Sequence, residues 1–333
     1  MDIMATATQF SLCYIEHPYV KGIIDELDNL RARRLLSKDQ QCILITGEAG
    51  TGKSALIDHY KAKALASELN SRRIPVLLTR ISAKRDLDST LVQMLHDLEL
   101  FGTGRYKSRR GFVRNLEKDL VEALKRTKVE LIIINEFQEI LEYKSKQERQ
   151  AIGNSLKYIS EEAQVPIAFV GMPWAEQICE DPQWASRLIR KRTLKHFYFK
   201  DINERRYYLS YLKGLASRMP FALPPDLASP TIAIPLFAAT KGENRFIKEL
   251  LKEALILALE QQDCTISLAH LGIVYASMVP EQPNVFELPV EQILLKEVES
   301  QSRINFDMQT VDQLTIGPKY TKPMALSDIL SLK

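Results

Sequence analysis

A glycine-rich segment near residue 50 has the residue types and spacing of a phosphate-binding loop. Residues 47–54 read GEAGTGKS, which matches the pattern GxxxxGK[ST]. Glycines let successive backbone N–H groups turn toward phosphate oxygens, and a helix that follows adds the positive end of its dipole. Lys53 is expected to supply charge to the β- and γ-phosphates of ATP, and Ser54 a hydroxyl to Mg²⁺. The predicted ATP contacts in this loop are Gly47, Glu48, Ala49, Gly50, Thr51, Gly52, Lys53, Ser54 and Ala55.

A second motif stands where an apolar run ends in two polar residues. Residues 131–136 read LIIINE, so Asn135 and Glu136 directly follow a predicted strand. In a hydrolytic site of this form the first residue, usually Asp, holds magnesium through water, and the second carboxylate polarises the attacking water. Asn135 can accept a hydrogen bond from metal-bound water but adds no charge, so we expect weak magnesium retention and slow turnover, with Glu136 as the base. A strand followed by an ordinary polar turn is the alternative.

Two segments place arginines where they can reach a γ-phosphate. In WASRLIRKR (184–192), just before the last predicted strand, Arg187 can stabilise charge on a nucleotide bound by a neighbouring subunit. Arg190 is the second candidate for that role in trans. Arg245 opens a predicted helix, where it can contact the γ-phosphate of its own chain. A solvated basic face is the alternative for both segments.

A basic segment points to nucleic acid. Residues 100–116, LFGTGRYKSRRGFVRNL, interleave basic and aromatic side chains and contain no acidic residue. Each Lys or Arg that neutralises a phosphate releases counterions, so the segment predicts salt-sensitive, backbone-led and sequence-tolerant binding of double-stranded DNA. The candidate DNA contacts are Arg105, Lys107, Arg109 and Arg110, with Lys84 as a secondary candidate. A solvated loop is the alternative.

The composition is that of an ordinary folded protein. The chain has 333 residues, 45% of them apolar, and a formal net charge of +3. That length predicts about two domains. The four cysteines lie far apart, without the spacing of a zinc site or a disulfide framework, which favours a reducing cytosol. No apolar run approaches the roughly 18 residues of a membrane span, so we expect no membrane association.

Strands and helices alternate over residues 41–200 and predict an α/β core. The predicted strands are residues 41–47, 75–81, 129–135, 165–171 and 194–199. The helices predicted between the first four are Ala55–Leu69, Ser89–Leu100, Arg114–Thr127 and Gln147–Ala163. Strands that are apolar on both faces and separated by helices form parallel sheets. We therefore expect a five-stranded parallel sheet flanked by helices, with the phosphate loop after its first strand.

After residue 200 the strand signals end and a small helical domain is predicted. Its helices are Glu204–Arg218, Thr231–Thr240, Glu243–Gln261 and Ser267–Ser277. The expected parts of the chain are an N-terminal segment (1–40), an ATPase core (41–200), a helical lid (201–279) and a loosely structured tail (280–333). Within the tail, short helices are predicted at Val290–Glu299 and Ala325–Leu330. This acidic, proline-punctuated tail is either a tether for a protein partner or disordered.

Five segments together resemble a known family. YIEHPYV (14–20), GEAGTGKS (47–54), IIINEFQEI (132–140), VGMPWAEQI (170–178) and PQWASRLIRKR (182–192) are similar to segments of the TniB/TnsC transposition regulators. These are AAA+ ATPases of the initiator type, and the chain most resembles the compact TnsC proteins of CRISPR-associated transposons. The likeness covers about residues 10 to 275.

The resemblance implies a bacterial, cytoplasmic AAA+ ATPase that forms a homo-oligomeric ring or filament on double-stranded DNA. It implies a link between a target-selection complex, with a TniQ-type protein and a CRISPR effector, and the transposase. His17 and Pro18 would then pack beside the adenine, an ordinary chain turn being the alternative. Asn135 replaces the usual Asp of the family pattern, and Met172 stands where many AAA+ proteins have a polar sensor. Hydrolysis is therefore expected to be slow or stimulated by a partner.

Two further functions fit the same residues. A non-hydrolysing scaffold would use ATP only to order its protein interfaces, and Asn135 favours this alternative. A helicase loader or replication-initiator relative would share the core motifs. No DNA-reading domain is predicted after residue 280, which counts against an initiator but not against a loader.

Overall fold

The computed structural model describes residues 2–66, 73–98, 115–142, 144–305 and 315–331. The chain forms two compact units. The first, here called the sheet unit, comprises Gly22–Ala49 and Lys53–Leu194. The second, here called the helical unit, comprises Met1–Lys21, Gly50–Gly52 and Lys195–Lys333. The helical unit thus includes both N-terminal and C-terminal residues that the sequence assigned to separate parts.

The sheet unit is built on five parallel strands. These are β1 Ile43–Gly47, β2 Val76–Arg80, β3 Leu131–Asn135, β4 Ile167–Gly171 and β5 Arg190–Leu194, in the spatial order β2-β3-β4-β1-β5. All residues of β1 and β4 are buried, as are the four apolar residues of β3. Strands buried on both faces need helices to cover them, which explains their uninterrupted apolar runs. The predicted α/β fold is confirmed.

Helices connect the strands of the sheet unit, and further helices precede its first strand. The helices of the N-terminal part and the sheet unit are α1 Ile3–Leu12, α2 Pro18–Arg33, α3 Lys53–Ala66, α4 Leu87–Asp97, α5 Leu116–Thr127, α6 Gln138–Leu141, α7 Lys146–Ala163 and α8 Pro182–Arg187, with a 3₁₀ segment at Pro173–Glu180. Side chains fix several helix starts. Asp86 caps α4, and Ser145 forms a capping box with Glu148 at α7. The helices predicted between the first four strands are therefore present, with small shifts at their ends.

The fifth strand lies earlier than predicted. The apolar run at residues 194–199 was expected to form it, but β5 is the basic segment Arg190–Leu194, which pairs with β1 from Ile43↔Arg190 to Gly47↔Leu194. An edge strand tolerates charged side chains because only one of its sides joins the ladder. Phe197 and Phe199 are buried instead in the core of the helical unit. The apolar run therefore signals a second core and not a strand.

The helical unit has its own apolar core. Its further helices are α9 Ile202–Ala216, α10 Pro230–Thr240, α11 Asn244–Glu260 and α12 Leu268–Met278. The inward face of α11 is the predicted one, with Ile247, Leu250, Leu251, Ala254, Leu255 and Ala258 all buried. Phe197, Tyr208 and Phe237 pack against these helices, and the Phe197 and Tyr208 ring centroids lie 5.6 Å apart. These helices match the predicted ones closely because the 3.6-residue apolar period was intact.

The described part of residues 280–333 is more ordered than expected. It forms β6 Leu294–Leu295, β7 Val298–Ser300, β8 Arg303–Ile304, β9 Thr315–Ile316, β10 Lys319–Tyr320, β11 Met324–Ala325 and α13 Leu326–Ser331, with 3₁₀ turns at Val285–Glu287 and Val290–Gln292. The predicted helix Val290–Glu299 is wrong: Ile293 and Leu295 are buried while Leu294 is 54% exposed, an alternation with the period of a strand. The helix near the C-terminus is confirmed. Glu297, itself buried, accepts hydrogen bonds from the backbone N–H groups of Phe199 and Lys200.

The hydropathy of the helices bears on whether any of them could span a membrane. Across the described ranges, none is both long enough and apolar enough to cross a bilayer.

Candidate nucleotide site

The candidate functional residues lie at the carboxyl ends of three neighbouring strands. In the order β3-β4-β1, these strands end at Asn135, Gly171 and Gly47, and parallel strands present their carboxyl ends at one edge. The phosphate loop leaves β1 at this edge, and Glu136 and Met172 follow the other two strands. Open α/β sheets bind ligands in the crevice outside this edge. The strand order thus brings two motifs 80 residues apart to one place.

The loop has the backbone that its glycines predict. It runs from Gly47 at the end of β1 to Lys53, the first residue of α3. Gly50 and Gly52 have φ angles of +79° and +92°, a region that favours glycine. Ser54 and Ala55 are exposed in the first turn of α3. The loop therefore ends on a helix N-terminus, as anion binding requires.

Lys53 is held by the loop itself. Its side chain is buried, and Nζ donates hydrogen bonds to the backbone oxygens of Gly47, at 2.7 Å, and Glu48, at 2.8 Å. Nζ also lies 3.9 Å from Sδ of Met172. A lysine ammonium has three donors, and these contacts aim it along the inside of the loop. The same ammonium is positioned to exchange carbonyl contacts for phosphate oxygens.

Asn135 and Glu136 differ sharply in their contacts. Asn135 Oδ1 is buried and has no hydrogen-bond partner among the described residues. Glu136 adopts a left-handed backbone conformation with φ +54°, which is unusual outside glycine. Its Oε2 accepts a hydrogen bond from Nε2 of Gln138 at 2.9 Å. A buried acceptor without a partner is costly, so a ligand or water that donates a hydrogen bond to the Asn135 oxygen would be stabilising.

Gln138 is a site residue that the motifs did not identify. It is 4% exposed, and its Oε1 accepts the backbone N–H of Met172 at 2.9 Å. Gly171 makes room for it, because a Cβ at that position would overlap Gln138 Oε1. The only sequence signal for Gln138 is that it is a polar residue two positions after Glu136. Its partner on β4 lies 34 residues away, so the contact requires the fold.

Within the helical unit, the segment around Arg245 contacts the tip of the phosphate loop. The backbone N–H of Arg245 donates to the oxygen of Gly50 at 3.0 Å. The side chain of Glu243 also lies against Gly50, where a Cβ would collide with it. Burial raises the pKa of the Glu243 carboxyl, against the opposing charges of Arg245 and Lys241. The Arg245 side chain itself is exposed.

His17 lies among aromatic rings of the helical unit. Its ring centroid is 5.8 Å from that of Phe197 and 6.3 Å from those of Tyr207 and Tyr211. Burial lowers the pKa of His17 to about 4, so the ring is neutral near pH 7. Nδ1 is buried without a hydrogen-bond partner among the described residues. Pro18 is exposed and begins α2.

The arginines near β5 fall into two kinds. Arg187 is 13% exposed and pairs with Glu161 and, at 3.4 Å, with Asp39. Arg192 pairs with Glu26. Arg190 has no ion pair with any described residue. It lies beside a cleft of about 210 Å³ that Leu36 and Asp39 also line. Of the two candidates for a role in trans, the first is therefore engaged within its own chain.

Of the predicted DNA contacts, the structure describes Lys84 but not the basic segment. Arg105, Lys107, Arg109 and Arg110 lie outside the described residues. Lys84 is exposed in the turn between β2 and α4. Its neighbour Arg85 has φ +54° and pairs with Glu142 at 3.3 Å. Burial raises the pKa of Glu142, the largest opposing influence being the hydrogen bond from Trp174.

Solved structures with a similar fold include ORC and Cdc6 proteins. An ORC2 protein from Aeropyrum pernix, in ADPNP–ADP complexes, is 19% identical, with 84% of this chain and 73% of that chain covered at a TM-score of 0.59. Cdc6p from Pyrobaculum aerophilum is 13% identical, with coverage of 80% and 69% and a TM-score of 0.56. The ORC1 protein of Aeropyrum pernix, in complex with DNA, is 16% identical, with coverage of 80% and 67% and a TM-score of 0.54. At these identities the likeness shows the fold alone, and it agrees with the predicted AAA+ architecture.

The sequence comparisons identify the family. No curated protein matches the chain. The profile of the family described as "Bacterial TniB protein" matches residues 9–198. That match covers more than half of the chain and includes the phosphate loop, the end of β3 and β5. The chain with this site at its strand ends belongs to the TniB family.

Proposed function

We propose that the chain is an AAA+ ATPase that assembles on double-stranded DNA when it binds ATP, and that it regulates transposition in the bacterial cytoplasm. The observation that carries the proposal is the meeting of the phosphate loop with Asn135 and Glu136 at one edge of the sheet. The family supports the transposition context. ADPNP and ADP in the similar ORC2 structures, and DNA with the similar ORC1, support nucleotide and DNA as ligands.

The residues at the strand ends fit a magnesium ion held through water. Asn135 Oδ1 is a buried acceptor with no hydrogen-bond partner among the described residues, and a metal-bound water would satisfy it. Ser54 presents a hydroxyl in the first turn of α3. When bound, Mg²⁺ would neutralise charge on the β- and γ-phosphates. Because Asn135 brings no negative charge, the protein would hold this ion more weakly than one with Asp at this position.

In the proposed reaction each residue of the site has one task. The loop's N–H groups and the α3 dipole bind the phosphates, and Lys53 moves from its loop carbonyls to the β- and γ-phosphates. Glu136 takes the proton from the attacking water. Arg245 contacts the γ-phosphate in cis, and Arg187 or Arg190 contacts that of a neighbouring subunit. By the resemblance, His17 and Pro18 would lie beside the adenine.

Features of the sheet unit support association with a second copy. Leu35, Leu36 and Ile189 are 65%, 81% and 73% exposed, unusually high for large apolar side chains. Leu36 and Arg190 line the same cleft, and Ile189 precedes Arg190 in the chain. An apolar rim around an arginine that has no ion pair with the described residues suits a subunit interface in which the arginine reaches a bound nucleotide.

The finer role in transposition follows the resemblance. ATP-bound oligomers on DNA would connect a TniQ-type selector, with its CRISPR effector, to the transposase. DNA would be held by the basic segment around Arg109 and Arg110 and by Lys84. Replacing Arg109 and Arg110 by Glu should abolish assembly on DNA while leaving ATP affinity unchanged. Intact DNA binding by this double variant would refute the assignment of the segment.

The experiment that tests the ATPase is a steady-state assay of wild type and Lys53→Ala, with and without duplex DNA. We expect hydrolysis by wild type only, together with loss of nucleotide binding in the variant, because Lys53 supplies the charge for the phosphates. Lys63→Ala, which changes a lysine later in α3, is the matched control and should leave the rate unchanged. Equal ATP affinity in wild type and Lys53→Ala would contradict the proposal.

A second candidate function is a nucleotide-gated scaffold that does not hydrolyse ATP. The neutral Asn135 at the metal position favours it. In that case wild type and Glu136→Gln would assemble alike and neither would release phosphate. A helicase-loader-like ATPase is the other alternative, and assembly without any response to transposase or selector would favour it.

A further inference from the structure

We propose that Gln138 is a positioning residue for hydrolysis, which holds the Glu136 carboxylate in place by a hydrogen-bonded link to the end of β4. This inference rests on the proposed function, in which Glu136 is the base. The link has two bonds of 2.9 Å, from Met172 N–H to Gln138 Oε1 and from Gln138 Nε2 to Glu136 Oε2.

The chemistry of the partners determines which way the Gln138 amide faces. The backbone N–H of Met172 can only donate, so the amide oxygen must face it. The NH₂ group then necessarily points to Glu136, which must offer an acceptor. An ionised carboxylate has only acceptors, and this is the form that a general base needs before it takes a proton. The backbone of β4 therefore selects the amide orientation that donates a hydrogen bond to Glu136.

The surroundings of Gln138 leave it little freedom. Its side chain is 4% exposed, and the missing Cβ of Gly171 provides the space that Oε1 fills. The intervening residue, Phe137, is buried and donates its N–H to the oxygen of Val170 at 2.9 Å. The turn after β3 is thus bound to β4 both through its backbone and through the Gln138 side chain. A buried amide satisfied at both ends is a rigid support.

The link engages one carboxylate oxygen and leaves the other for water. Glu136 Oε1 makes no hydrogen bond with the described residues, whereas Oε2 is held by Gln138. The backbone of Glu136 is left-handed, with φ +54°, directly after the end of β3. At the other end of the link, Met172 Sδ lies 3.9 Å from Lys53 Nζ. Met172, at the end of β4, is thus linked to Glu136 through Gln138 and also contacts Lys53.

The test is a kinetic comparison of Gln138→Leu with wild type, in single-turnover and steady-state assays with Mg²⁺-ATP and duplex DNA. Leucine keeps the volume but removes both hydrogen bonds. We expect kcat to fall at least tenfold, with the KM and Kd for ATP and the assembly on DNA within twofold of wild type. Gln177→Leu is the matched control, since Gln177 bonds Arg149 elsewhere in the sheet unit and should leave kcat unchanged.

A double variant separates positioning from mere structural support. If Gln138 acts only through Glu136, adding Gln138→Leu to Glu136→Gln should lower the residual rate by less than twofold. A structural role would add its own loss in both backgrounds. Should Gln138→Leu fold poorly, Gln138→Glu preserves the shape and places a second carboxylate against Glu136. It should likewise lower kcat and spare ATP binding.

The outcomes distinguish this inference from the function on which it rests. Wild type that hydrolyses ATP, an inactive Glu136→Gln and a fully active Gln138→Leu or Gln138→Glu would overturn the role of Gln138 alone. Additive losses in the double variant would also overturn it. Wild type without any hydrolysis, or a Glu136→Gln variant with the wild-type rate, would overturn the proposed function instead.

Discussion

Two polar regions of the sheet unit use their charges in different ways. In the strand-end cluster, defined as Asn135, Glu136 and Gln138, one buried oxygen has no partner among the described residues and one carboxylate is supported by an amide. In the β5 arginine cluster, defined as Arg187, Arg190 and Arg192, two guanidinium groups pair with carboxylates of the same chain. The first region keeps acceptors available for a ligand, whereas the second mostly neutralises itself.

This difference helps to separate charged residues that stabilise the fold from those that can contact a ligand. An arginine that pairs with Glu161 and Asp39 at 13% exposure already contributes to the fold, and removing it leaves two carboxylates unpaired. Arg190 lacks such partners among the described residues and lies at a cleft. A half-buried guanidinium without an ion pair among the described residues has more binding energy to offer a ligand than one that is already paired. We therefore favour Arg190 over Arg187 for contact with a neighbour's nucleotide.

The largest effect is expected in the strand-end cluster. Glu136→Gln should lower kcat by about 10³-fold, because general-base catalysis contributes on the order of 10²–10⁴. ATP affinity should not fall, since the phosphate loop is unchanged. Single-turnover hydrolysis and nucleotide titration measure the two quantities. If the variant hydrolyses ATP at the wild-type rate, Glu136 has no role in the reaction. The strand-end cluster would then have no more catalytic role than the paired arginines.

The next largest effects are expected in the β5 arginine cluster, where one variant should lose activity and another should lose stability. Arg190→Ala should lower ATPase activity of the assembled protein by about 10²-fold, the size of effect expected when one donor to a developing negative charge is removed. Its thermal midpoint should stay unchanged. Arg187→Ala should instead lower the free energy of unfolding by about 1–2 kcal/mol, because Glu161 and Asp39 lose their partner. The reverse assignment of the two phenotypes would show that the ion pairs are not decisive.

A smaller effect is expected at the metal position. Asn135→Asp should tighten the apparent affinity for Mg²⁺ and raise kcat by up to about tenfold, since a carboxylate adds charge where the amide has none. A magnesium titration of the ATPase rate measures both. Asn154→Asp, at an exposed position of α7, is a control for added charge alone. An unchanged rate with unchanged magnesium dependence would contradict the account of Asn135.

The smallest effect concerns a buried polar atom in the helical unit. Burial lowers the pKa of His17 to about 4 from an ordinary 6.5, so the unfolded chain binds a proton that the folded protein does not between these values. Stability should fall as pH falls through this window, by about 1 kcal/mol between pH 7 and pH 5.5. Thermal unfolding of wild type and His17→Phe tests this. A variant with the same pH slope as wild type would contradict it.

Local patterns were sufficient for much of the fold. The buried strands β1, β3 and β4 have unbroken apolar runs, and α11 has an intact apolar face, so each could be predicted alone. The run at residues 194–199 could not, because a strand and a core-filling loop have the same composition. Phe197 and Phe199 pack with helices that come later in the chain. Their role depends on that second core.

The site was predictable where chemistry is local and not where it is tertiary. The phosphate loop follows from eight adjacent residues, and Asn135 and Glu136 follow from one strand. Gln138 acts on Met172, 34 residues away, and Arg187 pairs with Asp39, 148 residues away. Contacts of that range arise from strand order and register. For Arg187 they include ion pairs with Glu161 and Asp39 that its position in the sequence did not indicate.

The central claim is that ATP controls assembly on DNA. The most direct test is electron microscopy of the purified protein with duplex DNA, with and without a non-hydrolysable ATP analogue. The account predicts rings or filaments only when DNA and the analogue are both present, and their loss in Lys53→Ala. Nucleotide-bound monomers that do not respond to DNA would contradict it.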